Sequence, residues 1–213
     1  ALNRATTYVY DTSSRREITT DPLNNTTVEN FTDAGQTASV RDAAGGVTSY
    51  SYDEQGNKIA ETDPAGGTTT YGYDANGLLI GATNQVGDAS SATYNDFNEP
   101  LVTIDALGNG TTNAYDNNGN LLFITNALGV VTAYGYDTQG HQVAVTNALG
   151  LPEQTVTTNQ FDASGDLTGT GILNAEGQVL SQTAYTYDDN GNKLTETKDR
   201  TAGAVLTQWQ YDA

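Results

Sequence analysis

The chain has 213 residues, of which 26 are acidic and 8 basic, for a formal net charge of -18. That balance argues against nucleic-acid binding, which needs a basic stripe, and against electrostatic docking on anionic lipid. There is no cysteine for disulfide or thiol chemistry, and no apolar run approaches the roughly 20 residues of a membrane-spanning helix.

From the first residues onward the chain is periodic. Aromatic residues stand at Tyr10, Phe31, Tyr52, Tyr73, Tyr94, Tyr115 and Tyr136, each 21 residues from the next. Most are followed directly by a corner of the form Asp-x-x-Gly or Asn-x-x-Gly. A second corner opens at Asp21, Asp42, Asp63, Asn84, Asp105, Asn126 and Asn147, again every 21 residues. A period in this range without insertion or deletion marks a repeat architecture. Between corners lie segments of about six or seven residues rich in Thr, Val, Ile, Leu and Tyr, which is strand composition. Helix is disfavoured because Gly or Asx interrupts any 3.6-residue stripe. Asp63-Pro64-Ala65-Gly66 has Asp at i, Pro at i+1 and Gly at i+3, the pattern of a type I turn closing a tight, bulged hairpin. Corners at both ends of every strand predict an antiparallel meander.

Alternation along a strand assigns faces. The aromatic column, with Tyr8, Tyr50, Tyr71 and Tyr134 two residues earlier, shares a face with Ile59, Ile80, Leu101, Leu122 and Val143. The intervening column is mostly small: Ser39, Ala60, Gly81 and Ala144, with Phe123 an exception. Tyrosine suits such a half-buried sheet, its ring packed and its hydroxyl reaching water or backbone. A ladder stacking carbohydrate is the sharper alternative. Beyond Leu151 the register loosens: Phe161, Tyr187 and Tyr211 follow at spacings of 25, 26 and 24 residues. Asn174-Ala175-Glu176-Gly177 and Asp199-Arg200-Thr201-Ala202-Gly203 read as degenerate second corners. The organisation expected is therefore seven regular repeats over residues 1–151, with longer hairpins over 152–213 continuing the same sheet.

The motifs Tyr73–Gly77 (YDANG), Tyr115–Asn120 (YDNNGN), Tyr187–Asn192 (YDDNGN), Asp105–Asn109 (DALGN) and the NALG runs at Asn126 and Asn147 resemble the YD repeat of the Rhs family. That family takes in Rhs polymorphic toxins, wall-associated proteins, the C components of Tc toxins and the teneurins. The resemblance covers nearly the whole chain. It implies an all-β strip wound as an arc of a large hollow shell, which encloses a C-terminal toxin or presents a binding surface. About 19 strands are expected, more than an open sheet carries without curling. A β-solenoid with one repeat per coil is the alternative fold.

Site chemistry is sparse. His141 is the single histidine, and it stands where other repeats have Asn57 or Asn120, so it reads as a solvated turn residue. With no cysteine and no second histidine, neither a zinc site nor a His-based triad can be assembled. Thirteen of the 26 acids open corners, among them Asp11, Asp53, Asp116 and Asp188, where aspartate bonds the turn's own backbone. Calcium on the acidic rims is the most serious metal hypothesis, yet many repeats supply one acid per corner and the period differs from the nonapeptide calcium repeat. Trp209 replaces the first aromatic of a pair and reads as packing. Catalytic, cofactor and metal residues are therefore expected to be none. The expected role is structural: a shell segment of a secreted, cell-surface or toxin-delivery protein, with a glycan-binding adhesin as the alternative. A chain without methionine that opens at Ala1 inside a repeat is expected to be a piece of a longer one. Its partners are then the rest of that chain, or other copies joined end to end through uncapped strands as a ring or filament. An enclosed toxin or a surface glycan are the further partners.

Overall fold

The computed structural model describes residues 5–199, 205–208 and 210. They contain nineteen strands and no helix. In chain order these are β1 (Thr7–Asp11), β2 (Arg16–Thr20), β3 (Thr26–Phe31), β4 (Thr37–Arg41), β5 (Val47–Tyr52), β6 (Lys58–Thr62), β7 (Thr68–Tyr73), β8 (Leu79–Thr83), β9 (Ala89–Tyr94) and β10 (Pro100–Ile104). They continue with β11 (Gly110–Tyr115), β12 (Leu121–Thr125), β13 (Val131–Tyr136), β14 (Gln142–Asn147), β15 (Thr155–Phe161), β16 (Leu167–Asn174), β17 (Val179–Tyr187), β18 (Lys193–Asp199) and β19 (Val205–Gln208).

Two compact units are present. One holds the residues up to Thr93 with Thr103–Gly108; the other holds Tyr94–Val102 and the residues from Asn109 on. In the first, β1 to β9 pair in sequence, each antiparallel to the next. In the second, β11 to β19 do the same. The meander holds, and parallel solenoid coils are excluded for these strands.

The corners close as their sequence dictates. At Asp63, Gly66 N–H donates to Asp63 O at 3.0 Å and Asp63 N–H to Gly67 O at 2.8 Å. Gly66 sits at φ +90°, a conformation that costs glycine nothing. The corner at Asn95 manages without glycine: Asn98 takes φ +64° there, the substitution best tolerated in left-handed conformation. One predicted corner is absent. Asn147 is the last residue of β14 and pairs with Thr155. The turn is displaced into residues 148–154, where Ala148 has φ +52° and Leu149 N–H donates back to Val131 O at 2.9 Å. The predicted corner at Arg200–Gly203 and the aromatic pair of Trp209 and Tyr211 lie outside the described residues.

A second irregularity was not visible in the sequence. At the aromatic end of the hairpins the register slips by one residue: Ser51 pairs with Ala60 but Tyr52 with Lys58. The same slip precedes Phe31, Tyr73, Tyr115, Tyr136, Phe161 and Tyr187. Such a bulge puts two residues, here Lys58 and Ile59, opposite one and re-aims the side chains. It brings both onto the tyrosine face.

Among the described residues no hydrophobic side chain is buried. Tyr50, Tyr52, Tyr71 and Tyr73 are half-buried while Ser51 and Gly72 between them are exposed. The apolar cover of the sheet is thus the tyrosine face itself.

Candidate functional surface: the tyrosine ladder and the two rims

The tyrosine hydroxyls have one recurring job. Tyr52 Oη donates to Thr37 O at 2.9 Å, Tyr73 to Lys58 O at 2.9 Å, Tyr115 to Pro100 O at 3.0 Å and Tyr136 to Leu121 O at 3.0 Å. In the longer hairpins Tyr187 reaches Leu167 O at 2.8 Å. Each acceptor is the first residue of its strand. For Thr37 the reason can be traced: the β4–β5 ladder starts only at Ser39 opposite Ser49, so Thr37 lies beyond the paired stretch. The ring crosses that fork and its hydroxyl satisfies the carbonyl, since a backbone acceptor shielded from water needs a partner. Burial raises the pKa of the Tyr136 and Tyr187 phenols. Phe161 has no hydroxyl, and Asn159 two residues earlier substitutes for it, its Nδ2 donating to Gln142 O at 3.0 Å.

Lysine joins the ladder at two places. Lys58 Nζ lies 4.8 Å from the Tyr71 ring centre and 5.6 Å from that of Tyr50, and pairs with Glu61 at 2.6 Å. The Glu61 bond, against some desolvation, holds its pKa above the ordinary lysine value. Lys193 sits 4.7 Å over Tyr185 and pairs with Glu196 at 3.5 Å.

Within each unit the first corners lie along one rim. Where aspartate opens the corner, its carboxylate turns inward on that corner. Asp53 Oδ1 accepts from Gln55 N–H at 3.0 Å and Asn57 N–H at 2.8 Å, and Oδ2 from Asn57 Nδ2 at 2.9 Å. The Asp116–Asn120 and Asp188–Asn192 corners repeat this at 2.9 Å. The asparagine amide is the main reason that the pKa values of Asp53, Asp116 and Asp188 fall below the usual carboxylate range. At several of these corners the closing side chain then packs on the glycine of the next. A Cβ added to Gly56 would lie 3.3 Å from Gln36 Nε2, and one on Gly165 would lie 3.3 Å from His141 Nε2.

His141 is therefore no solvated turn residue. It is 30% exposed, its Nδ1 is 2.9 Å from Asp137 Oδ2, and its ring stacks on Phe161 at 4.7 Å between centres. The imidazole takes the place of the asparagine amide, which its position in the period had indicated. The stack could not be read from the sequence, because Phe161 lies beyond the strict repeat. Burial works to raise the pKa of Asp137, but the bonds from His141 and from backbone prevail and it ends below its ordinary value.

The second corners form a rim of different character. Its tips are apolar: Leu23, Val86, Leu107 and Leu128 are between 74% and 87% exposed. At its corner Asp63 Oδ1 accepts from Ala65 and Gly67 N–H, both at 2.8 Å. Among the described residues no group of three or more His, Cys, Asp or Glu side chains converges as a metal-holding set, and nothing in this geometry points to catalysis.

The RHS Repeat family model matches residues 31–68, 58–91 and 115–152. No curated protein matches the chain. Among solved structures, the fold is similar to that of the crystal structure of TcdB2-TccC3-TEV, with a TM-score of 0.68 and 16% identity over 92% of this chain. The crystal structure of TcdB2-TccC3 gives a TM-score of 0.68 and 15% identity over 96% of it. A Photorhabdus luminescens Tc holotoxin pore gives 0.61 and 15% over 92%. The chain spans only 11% to 13% of the length of those chains. The tyrosine–corner motifs and the sequential hairpins thus coincide, over residues 31–91 and 115–152, with stretches that match RHS repeats.

Proposed function

We propose that this chain is a structural wall segment of a large toxin-type RHS-repeat protein that is secreted or displayed on a cell surface. The observation that carries this is the hydroxyl ladder. Tyr52, Tyr73, Tyr115, Tyr136 and Tyr187 each spend the hydroxyl on a carbonyl of the chain itself, which makes the aromatic column a fastening between hairpins. The longer hairpins from residue 152 onward extend the same strip. The wall's partners are the remainder of a longer repeat chain or further copies joined through β1 and β19. Residues Thr7–Tyr10 and Val205–Gln208 of those strands are exposed, and a strand edge of this kind templates pairing with another strand. Such head-to-tail contacts give a ring or filament. A wall of this kind suits the enclosure of a toxin carried elsewhere in the parent protein.

A glycan-binding module is the second reading, favoured by the groove that Ile59, Tyr71 and Tyr73 line beside Asn57 and Gln55. Titration with a panel of oligosaccharides, read by tyrosine fluorescence, separates the two. The wall predicts no saturable change; a saturable one, abolished by Y71A, overturns it. Light scattering over a concentration series tests the end contacts. Growth in mass with concentration is expected, and a concentration-independent monomer overturns copy-to-copy pairing.

A further inference from the structure

The second rim contains a relation between consecutive corners that neither the RHS match nor the ladder explains. Each corner ends on its fifth residue, and at Gly46 and Gly67 the second residue of the following corner comes to lie against it. At Gly46 an added Cβ would sit 3.2 Å from both Cβ and Cγ of Pro64. At Gly67 it would overlap Gln85 Oε1 and lie 2.5 Å from Gln85 Cδ. Neither glycine has the positive φ of its neighbours Gly45 and Gly66, so backbone conformation does not require them. Space does.

The sequence follows the same rule along the rim. Where the fifth residue is glycine, at Gly46 and Gly67, the next corner has a large second residue, Pro64 and Gln85. Where it is larger, at Asn25, Asp88 and Asn109, the next corner has Ala43, Ala106 and Ala127. Large meets small in every consecutive pair, and each pair lies within one compact unit.

We propose that the second rim is a docking surface with side-chain selectivity for the hairpin that packs next to it. A corner closing on glycine accepts a hairpin bearing Pro, Gln or a similar side chain at its second corner position. A corner closing on Asn or Asp accepts only one bearing Ala. The partner this surface fits is thus another repeat of matching class, and the match sets which repeats can be neighbours. Steric exclusion supplies the selectivity, because overpacking a contact destabilises it and a clash rejects the wrong neighbour.

Two sets of variants test this by melting temperature. G46N is expected to lower it by several degrees, and P64A by less; the double variant G46N/P64A recovers most of the G46N loss. A double-variant loss equal to the sum of the two single losses overturns the proposal. The second set does not depend on G46N folding. Proline suits the second position of a type I turn, and this rim already holds it at Pro22 and Pro64. Turn propensity alone therefore predicts that A43P stabilises the protein. The lock predicts the reverse, because the introduced ring would meet Asn25, and it predicts that A43P stabilises once Asn25 is replaced, measured as N25G/A43P against N25G. A rise in melting temperature for A43P alone overturns the proposal.

Discussion

The hydroxyl of Tyr73 donates to the carbonyl of Lys58 across 2.9 Å, and the ammonium of the same Lys58 lies 4.8 Å over the ring of Tyr71. One residue at the start of β6 is thus held by both aromatics of the following hairpin, through its backbone and through its side chain. In a sheet with no buried hydrophobic side chain among the described residues, such fastenings carry a large share of the cohesion between hairpins.

Removing a single hydroxyl tests that share. Y73F and Y136F are each expected to cost about 1 kcal/mol, the usual net value of one hydrogen bond whose acceptor is left partly shielded. The two sites lie far apart in sequence and share no partner, so the double variant is expected to lose the sum. Urea denaturation measures it; an unchanged midpoint for both single variants would mean that water satisfies the freed carbonyls.

Acid titrates the rims. The pKa values of Asp21, Asp53, Asp116 and Asp188 are lowered, first by the side-chain amides of Asn25, Asn57, Asn120 and Asn192. A carboxylate whose folded pKa is depressed contributes stability above its unfolded pKa, near 4, and loses it as pH falls through the folded value. Stability is expected to be flat above about pH 5 and to decline steadily below about pH 4. N57A/N120A is expected to lower the stability near neutral pH and to make the decline below about pH 4 shallower. A decline beginning near neutrality would place its origin elsewhere.

At His141 two contributions can be separated. H141N keeps a donor for Asp137 and gives up the Phe161 stack, so it is expected to cost about 0.5–1.5 kcal/mol. H141A forfeits the stack and the bond, and is expected to cost about 1 kcal/mol more. Equal losses for the two, measured by chemical denaturation, would show that the Asp137 contact contributes nothing.

Millimolar calcium is expected to leave the melting temperature unchanged. Asp53 and Asp116 present oxygens already occupied by their own corners, and calcium would have to displace those bonds to gather its six or more oxygen ligands. A rise of many degrees, by preferential binding to the folded chain, would establish the rims as ligands.

The sequence by itself determined the repeat, the strand positions, the antiparallel order and the turn type of nearly every corner. All of these are local: a hairpin is specified by four or five corner residues and by alternation on either side. It also indicated the equivalence of His141 with Asn57, because period alone carries that. What lies between hairpins was decided only by the tertiary structure. The one-residue slip before Tyr52 and six other aromatics, the reach of Tyr52 to Thr37, the stack of His141 on Phe161 and the contact of Pro64 with Gly46 all depend on how neighbouring strands and hairpins pack. The missing corner at Asn147 belongs with them, since Val131 O on the preceding strand captures Leu149 N–H and pulls the turn away from its periodic place. Local propensity is blind to such contacts, because whether a ring crosses a fork or a glycine receives a neighbour depends on where the next hairpin has already packed.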